Sequence, residues 1–293
     1  MWKLLKTEWL KIYRYPAFWL LLAICLITYP GINYICYNIY LDITQRQSMT
    51  GQIVSLLLGN PFSFPEVWQT SAYLSSMFVI IPALLIIMLI SNEYVYRTSR
   101  QNIIDGWSRY DFLLAKAIDV ALITFIVTIL YAIVALVVGI VHTDSQPAVD
   151  PAIPLPDMNS TEGSGSSGSI YFEKIHYIGL FALQTFSQLS LAFLLGMLVR
   201  KAFVAMGIFL FYALIAEPLS VGLLKYKFNN DIGKYFPMEV SDRIVPPPAF
   251  MSKLDEAGYQ ASLDAVPMHV GLTIVLIGIT WMLTTIIYKK RDL

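Results

Sequence analysis

The stretch EYVYRTSRQNIIDGWSRYDFLLAK, from Glu93 to Lys116, concentrates the groups that could do chemistry. It carries seven charges (Glu93, Arg97, Arg100, Asp105, Arg109, Asp111 and Lys116), and it lies between two strongly apolar runs. Residues of these types do not form a nucleophile–base pair or a ligand set for a metal. They form a surface instead. Ile103, Ile104 and Trp107 make an apolar and aromatic knob framed by charges of both signs. An anchor of this kind suits docking into a cleft on a soluble protein. A solvated loop that merely joins two spans is the plainer alternative, but it leaves the exposed Ile-Ile and Trp without a reason.

Local signals organise the stretch. Glu93 ends an apolar run, and Arg97, Thr98 and Arg100 follow. Asp105-Gly106 is a turn signal. Ser108, with an acidic Asp111 three residues on, reads as a capping box that opens a new helix. Lys116 then enters the next apolar run. The spacing thus predicts a helix end, a short helix, a turn and a helix start.

The elements that must position this segment are membrane spans. Of 293 residues, 57% are hydrophobic and 14% charged, against about 25% charged in an ordinary soluble domain. Six apolar runs each reach the roughly 20 residues needed to cross about 30 Å of hydrocarbon: about 17–38, 72–91, 117–141, 177–199, 202–224 and 268–288. Backbone groups in hydrocarbon must be satisfied within their own segment, so each run is expected to be a helix. The expected fold class is an all-α membrane protein, six transmembrane helices in a single domain over residues 1–293.

Basic residues set the expected orientation. Thirteen of the twenty Lys and Arg fall in the N-terminal segment, in 92–116, in the 200–201 turn and at the C-terminus; seven are spread over the longer alternate loops. The positive-inside rule then places both termini and 92–116 in the cytoplasm. Residues 39–71, 142–176 and 225–267 become outer loops. The second of these is rich in Pro, Gly and Ser and reads as a flexible linker. The third contains IVPPPAF and is expected to pack over the outer end as short pieces.

Residues 1–15 read as an interfacial amphipathic helix. At about 100° per residue, Trp2, Leu5, Trp9, Ile12 and Tyr13 share one face, and Lys3, Lys11 and Arg14 fall on the other. Leu4 departs from the pattern. Pro16 separates this helix from the first span. Cys25 and Cys36 lie on one helix roughly 16 Å apart, too far for a disulfide. No nucleotide-binding, zinc-protease or nucleophile-elbow motif occurs. His142, His176 and His269 lie near outer ends of spans on unrelated segments. No metal, no catalytic residue and no nucleic-acid partner is expected.

Two acids fall within spans. Asp119 lies within one turn of the inner end of its run and can reach the interface, so it needs no special role. Glu217, followed by Pro218, lies about 23 Å along its helix, where a charge is costly. Two readings stay open. Glu217 lines a translocation path, or Glu217-Pro218 marks a helix break in which the carboxylate caps the free N–H groups of a new helix.

The 93–116 stretch resembles the first cytoplasmic loop of permease subunits of bacterial ATP-binding-cassette exporters of the ABC-type-two class. Glu93, Thr98, Arg100, Ser108, Arg109 and Lys116 match that pattern, and the layout of spans agrees over almost the whole chain. The resemblance implies a coupling helix in the loop and a pair of permeases, either two copies or a copy with a homologue. It also implies separate ATPase subunits that hold ATP and Mg, with no cofactor on this chain. Among such exporters the chain often turns back near the Glu217 position, which favours the helix-break reading there. The Arg200-Lys201 turn is either a second contact with the ATPase or a plain topological turn. The long Gly/Ser-rich outer loop departs from a minimal member. The alternative function is a non-transporting membrane scaffold or sensor that binds a soluble partner through the same loop.

The orientation has a direct test. In a background without Cys25 and Cys36, an impermeant thiol reagent applied to intact cells should label Ser166→Cys and spare Arg100→Cys. The reverse pattern would invert the topology.

Overall fold

The computed structural model describes residues 2–44, 60–95, 108–143, 172–199, 201–228, 231–253 and 255–290. Among them there is no strand, and nearly all are helical. The helices are α1 (Trp2–Arg14), α2 (Pro16–Thr44), α3 (Val67–Ser76), α4 (Ile80–Val95), α5 (Arg109–Thr143), α6 (His176–Leu198), α7 (Ala202–Phe228), α8 (Pro237–Asp242) and α9 (Glu256–Lys290). Short 3-10 turns at Asp231–Tyr235 and Ala249–Lys253 flank α8. Five helices are long and apolar enough to cross a membrane, and six spans result if the bent pair α3–α4 counts as one. The chain is a multi-pass membrane protein.

α6 is the central post. It touches α3, α4, α5, α7, α8 and α9, and it buries Phe181, Leu189, Ala192 and Phe193. Phe181 packs against Tyr131 of α5 with ring centroids 4.5 Å apart, and Phe193 stacks on Trp281 of α9 at 4.9 Å. α2, α7 and α9 are peripheral. Much of their apolar surface is exposed, including Ile27, Phe203, Leu214 and Met282. In a membrane that surface meets lipid tails and costs nothing.

Polar side chains inside the bundle tie helices across the core. Ser71 Oγ donates to Asn33 Oδ1 at 2.8 Å, joining α3 to α2. The Tyr131 hydroxyl donates to the Trp68 carbonyl at 2.7 Å, joining α5 to α3. Trp281 Nε1 donates to Ser190 Oγ at 3.1 Å, joining α9 to α6. Between helices in lipid, such bonds and close packing replace the hydrophobic drive.

Three boundaries differ from the sequence expectation. The run expected at 72–91 is two helices bent by 47°. Pro82 lies in the first turn of α4; it lacks an N–H and its ring opposes the carbonyl of Phe78, so a continuous helix is interrupted at 77–79. The last helix begins at Glu256, not near 268. Asp255 Oδ1 accepts the Gly258 N–H at 2.9 Å, an N-cap that starts the helix early, and Pro267 is accommodated inside it. The helix also continues through Glu217-Pro218, so no break exists there. A π-turn over Tyr212–Ala216 precedes the proline, with the Glu217 N–H donating to the Tyr212 carbonyl five residues back. This wider turn relaxes the backbone where an α-turn would meet the proline ring.

Candidate functional site

The site is assembled where α1, α4 and α5 converge. α1 turns Glu8 and Ile12, one turn apart, inward: each is 2% exposed. Trp9 and Tyr13 point outward, also one turn apart, with Tyr13 ringed by Trp9 and Trp19. The single apolar face expected for α1 is therefore split. Ile12 serves the core, and Trp9 and Tyr13 serve the outside, because the inward stripe is set by Glu8 rather than by the aromatics.

Glu8 reaches Lys116 of α5. The Lys116 ammonium is buried and has three hydrogens to place. It meets three carboxylates: Glu8 Oε2 at 2.5 Å, Glu93 Oε1 at 2.7 Å and Asp119 Oδ2 at 3.0 Å. One acceptor per hydrogen saturates the group. A second ammonium, Lys11, lies 2.6 Å from Glu8 Oε1 and 3.3 Å from Glu93 Oε1 at the more exposed rim. Nearby, the Asn92 amide donates to the Tyr15 hydroxyl. Together these side chains surround a cavity of about 170 Å³.

The electrostatics follow from this geometry. Burial pushes the Glu8 carboxyl up, but Lys116 and Lys11 beside it outweigh burial and leave it below the usual carboxylate range. In low dielectric, carboxylates gathered around ammonium groups are tolerable, whereas removal of a partner is not. The Lys116 ammonium also sits 5.6 Å from the centre of the Phe112 ring, which stacks on Tyr288 of α9 at 5.0 Å. The cluster thus connects the N-terminal helix, both helices that flank the 93–116 segment, and the end of the last helix.

The segment's entry into α5 is capped reciprocally. The Asp111 N–H donates to Ser108 Oγ at 3.1 Å, and the Ser108 N–H donates to Asp111 Oδ2 at 3.2 Å. Ser108 is exposed, and Arg109 is the first residue of α5. Arg97, Thr98, Arg100, Ile103, Ile104 and Trp107 lie outside the described residues. Of the sequence-derived site, the structure therefore brings Glu93 together with Lys116. Asp119 needs correction: it is not turned to the interface but is 4% exposed and bound to Lys116, since one helical turn separates the two on α5. Glu8 was missed. Its signal was its position as the lone acid in a basic helix.

Glu217 does cap a helix, but not its own. Its Oε1 accepts the Glu239 N–H at 2.7 Å, at the start of α8, where Phe236 is the N-cap and offers no side-chain acceptor. Nearby, Gln184 and Gln188 of α6 donate to Asp242 Oδ1 at 3.0 and 2.6 Å. Burial pushes the Asp242 carboxyl up to about 6. Gln69 Nε2 of α3 donates to the Pro247 carbonyl at 2.6 Å. The short pieces between α7 and α9 are thus pinned to the bundle by buried side chains of α3, α6 and α7. Among the described residues, no three His, Cys, Asp or Glu side chains are grouped to hold a metal.

A family model described as a protein of unknown function, DUF2705, matches residues 53–293. The chain belongs to the DUF2705 family. The match takes in Glu93, Lys116 and Asp119 and begins after Glu8 and Lys11. The ion cluster therefore joins side chains inside the DUF2705 region to two that precede it. No curated protein matches the chain.

These contacts can be tested by substitution at three positions. Lys116→Met takes the ammonium from Asp119 and leaves Glu8 and Glu93 only Lys11 at the rim, and should lower stability by about 3–5 kcal/mol, read as thermal unfolding in detergent; Lys11→Met, at the rim, should cost far less. Glu8 has a depressed folded-state pKa, so its contribution is present above its ordinary value of 4.5 and is lost as pH falls through the folded value. Glu8→Gln should flatten that acid limb. At Glu217, loss of the cap in Glu217→Ala should cost about 0.5–2 kcal/mol, while Glu217→Gln keeps an acceptor for the Glu239 N–H and should unfold near wild type. Equal loss in both variants would mean that the charge, not the cap, is what matters.

Proposed function

We propose that this protein is the membrane-spanning permease subunit of an ATP-driven exporter of the ATP-binding-cassette class, working in a bacterial cytoplasmic membrane. In this reading it has six spans, with α3–α4 as the second. Both termini and the 93–116 segment face the cytoplasm, and a second permease copy or homologue completes the path. ATP and Mg reside on separate ATPase subunits, which dock on 93–116.

The observation that carries the reading is the ion cluster at the base of that segment. A loop that transmits force needs ends that move as one body. Glu93 lies in the last turn of α4, Lys116 lies two turns into α5, and their 2.7 Å pair ties the two helices together beside the segment. Glu8 adds α1, whose outward Trp9 and Tyr13 suit the membrane interface. A displacement delivered to the loop would pass to α1, α4 and α5 together, and through Phe112 and Tyr288 to α9. A solvated topological loop has no use for such a root. The thirteen-to-seven split of basic residues supports the orientation.

The test is association with an ATPase that carries a phosphate-binding loop. Trp107→Ala removes a central aromatic anchor worth about 2 kcal/mol or more, so retention in a pull-down should fall by roughly thirtyfold. Arg109→Glu should act in the same direction by presenting the wrong charge. Neither change lies in a span, so insertion should persist. If both variants retain and stimulate the ATPase as wild type does, the segment is not the coupling element and the exporter reading fails.

A further inference from the structure

At the end of the bundle opposite the termini, a cavity of about 260 Å³ opens between α2 and α3. Ile39 and Ile43 of α2, Phe62, Tyr73 and Leu74 of α3, and Phe250 form most of its wall. Among the described residues, the polar groups on its wall are the hydroxyls of Tyr40, Thr70 and Tyr73 and the thiol of Cys36, and the rest of the lining is apolar. We infer that this cavity receives one acyl chain of a bilayer phospholipid, entering sideways from the membrane. The inference rests on the membrane character of the fold and not on transport.

Three observations select that occupant. The first is wall chemistry. A peptide or a second protein would bring backbone N–H and C=O groups that an apolar wall cannot satisfy, at a cost for each. An alkyl chain brings none. The second is the direction of the opening. Ile39 and Ile43 line the cavity and yet are 53% and 46% exposed. They continue the exposed apolar flank of α2 through Ile35 and Ile27, the surface that faces lipid tails in a spanning helix. The opposite side is roofed by Pro248, Phe250 and Met251 from the segment between α8 and α9. The third is size. An apolar cavity of about 150 Å³ stays dry and takes benzene, so this one has room for a longer alkyl segment and little reason to hold water.

The roof links the cavity to the pinned outer segment. Pro247, next to Pro248, is held by Gln69 of α3, and Thr70, the next residue, is on the cavity wall. A chain in the cavity would therefore press on the same segment that Glu217 of α7 and Gln184 and Gln188 of α6 anchor.

The experiment uses the full-length protein in nanodiscs of phosphatidylglycerol that include a phospholipid with a photoactivatable diazirine at the acyl terminus. Cross-linked peptides are mapped by mass spectrometry. Labelling should be enriched on residues 36–43 and 70–74 over the lipid-facing stretch 279–283 of α9. Leu74→Trp fills the cavity. Displacing even about two methylenes should reduce labelling of 36–43 on the order of tenfold and leave 279–283 unchanged. Ile39→Phe, which narrows the mouth from an exposed position, gives a second variant if Leu74→Trp does not fold. Equal labelling of 36–43 and 279–283 in wild type, or labelling of 36–43 that neither substitution reduces, overturns the inference.

Discussion

A buried ammonium needs as many acceptors as it has hydrogens, and Lys116 finds them on three different stretches of chain. Most of the architecture at that end of the protein answers to this one requirement. α1 must lie where Glu8 can reach inward, so it cannot float free on a membrane surface. α4 must run far enough to deliver Glu93. α5 must begin before the hydrocarbon so that Lys116 and Asp119 sit one turn apart. The group is costly to desolvate, and its pairing is specific rather than strongly stabilising. That balance suits a junction, because apolar residues could fill the same volume but would not fix which three segments meet.

The opposite end is held by another logic. There the segment between α7 and α9 is anchored to the bundle by amides and carboxyls. Gln184 and Gln188 hold Asp242, Glu217 holds the start of α8, and Gln69 holds Pro247. Burial raises the proton affinity of Asp242, and the two amide donors, which favour its charged form, offset this only in part. Between pH 3.8 and about 6 the folded form of Asp242 holds a proton that the unfolded form has released. The net stability contributed at this site therefore falls as pH rises through that window, because ionising a buried carboxyl costs more than the amides return, whereas the Glu8 contribution falls as pH falls. The two ends differ in the sign of their response.

Much of this was legible in the sequence, in unequal measure. Apolar runs announced long helices because bilayer thickness and helical rise fix the length required. Ser108 and Asp111 announced a cap because that geometry is local. What was hidden depended on contacts between distant segments. Nothing near Glu8 reports that Lys116 lies beside it, whereas Asp119, three residues past Lys116 on the same helix, was within reach of a local reading. The same holds for Glu217: its depth and acidity pointed to a capping role, but the helix it caps begins twenty residues on. Proline proved the least decisive signal. Pro82 lies just past a break, while Pro30, Pro218 and Pro267 lie within helices. Whether the freed carbonyl finds another partner decides between these outcomes, and that is a tertiary fact.

The π-turn at Tyr212–Ala216 fixes the phase of everything after it in α7. A π-turn carries one residue more than an α-turn, so the helix past it is advanced by about 100° relative to an uninterrupted helix from Ala202. With that residue, Glu217 faces inward and is 3% exposed, while Leu219 and Leu223 face out. Without it, the same chemical sequence would turn the carboxylate toward the acyl tails and carry leucines onto α8. Loop length can drift among homologues at little cost, but the residue count between Ala202 and Glu217 cannot change by one. This short stretch should behave as a ruler in any alignment of the family: free in identity, fixed in number.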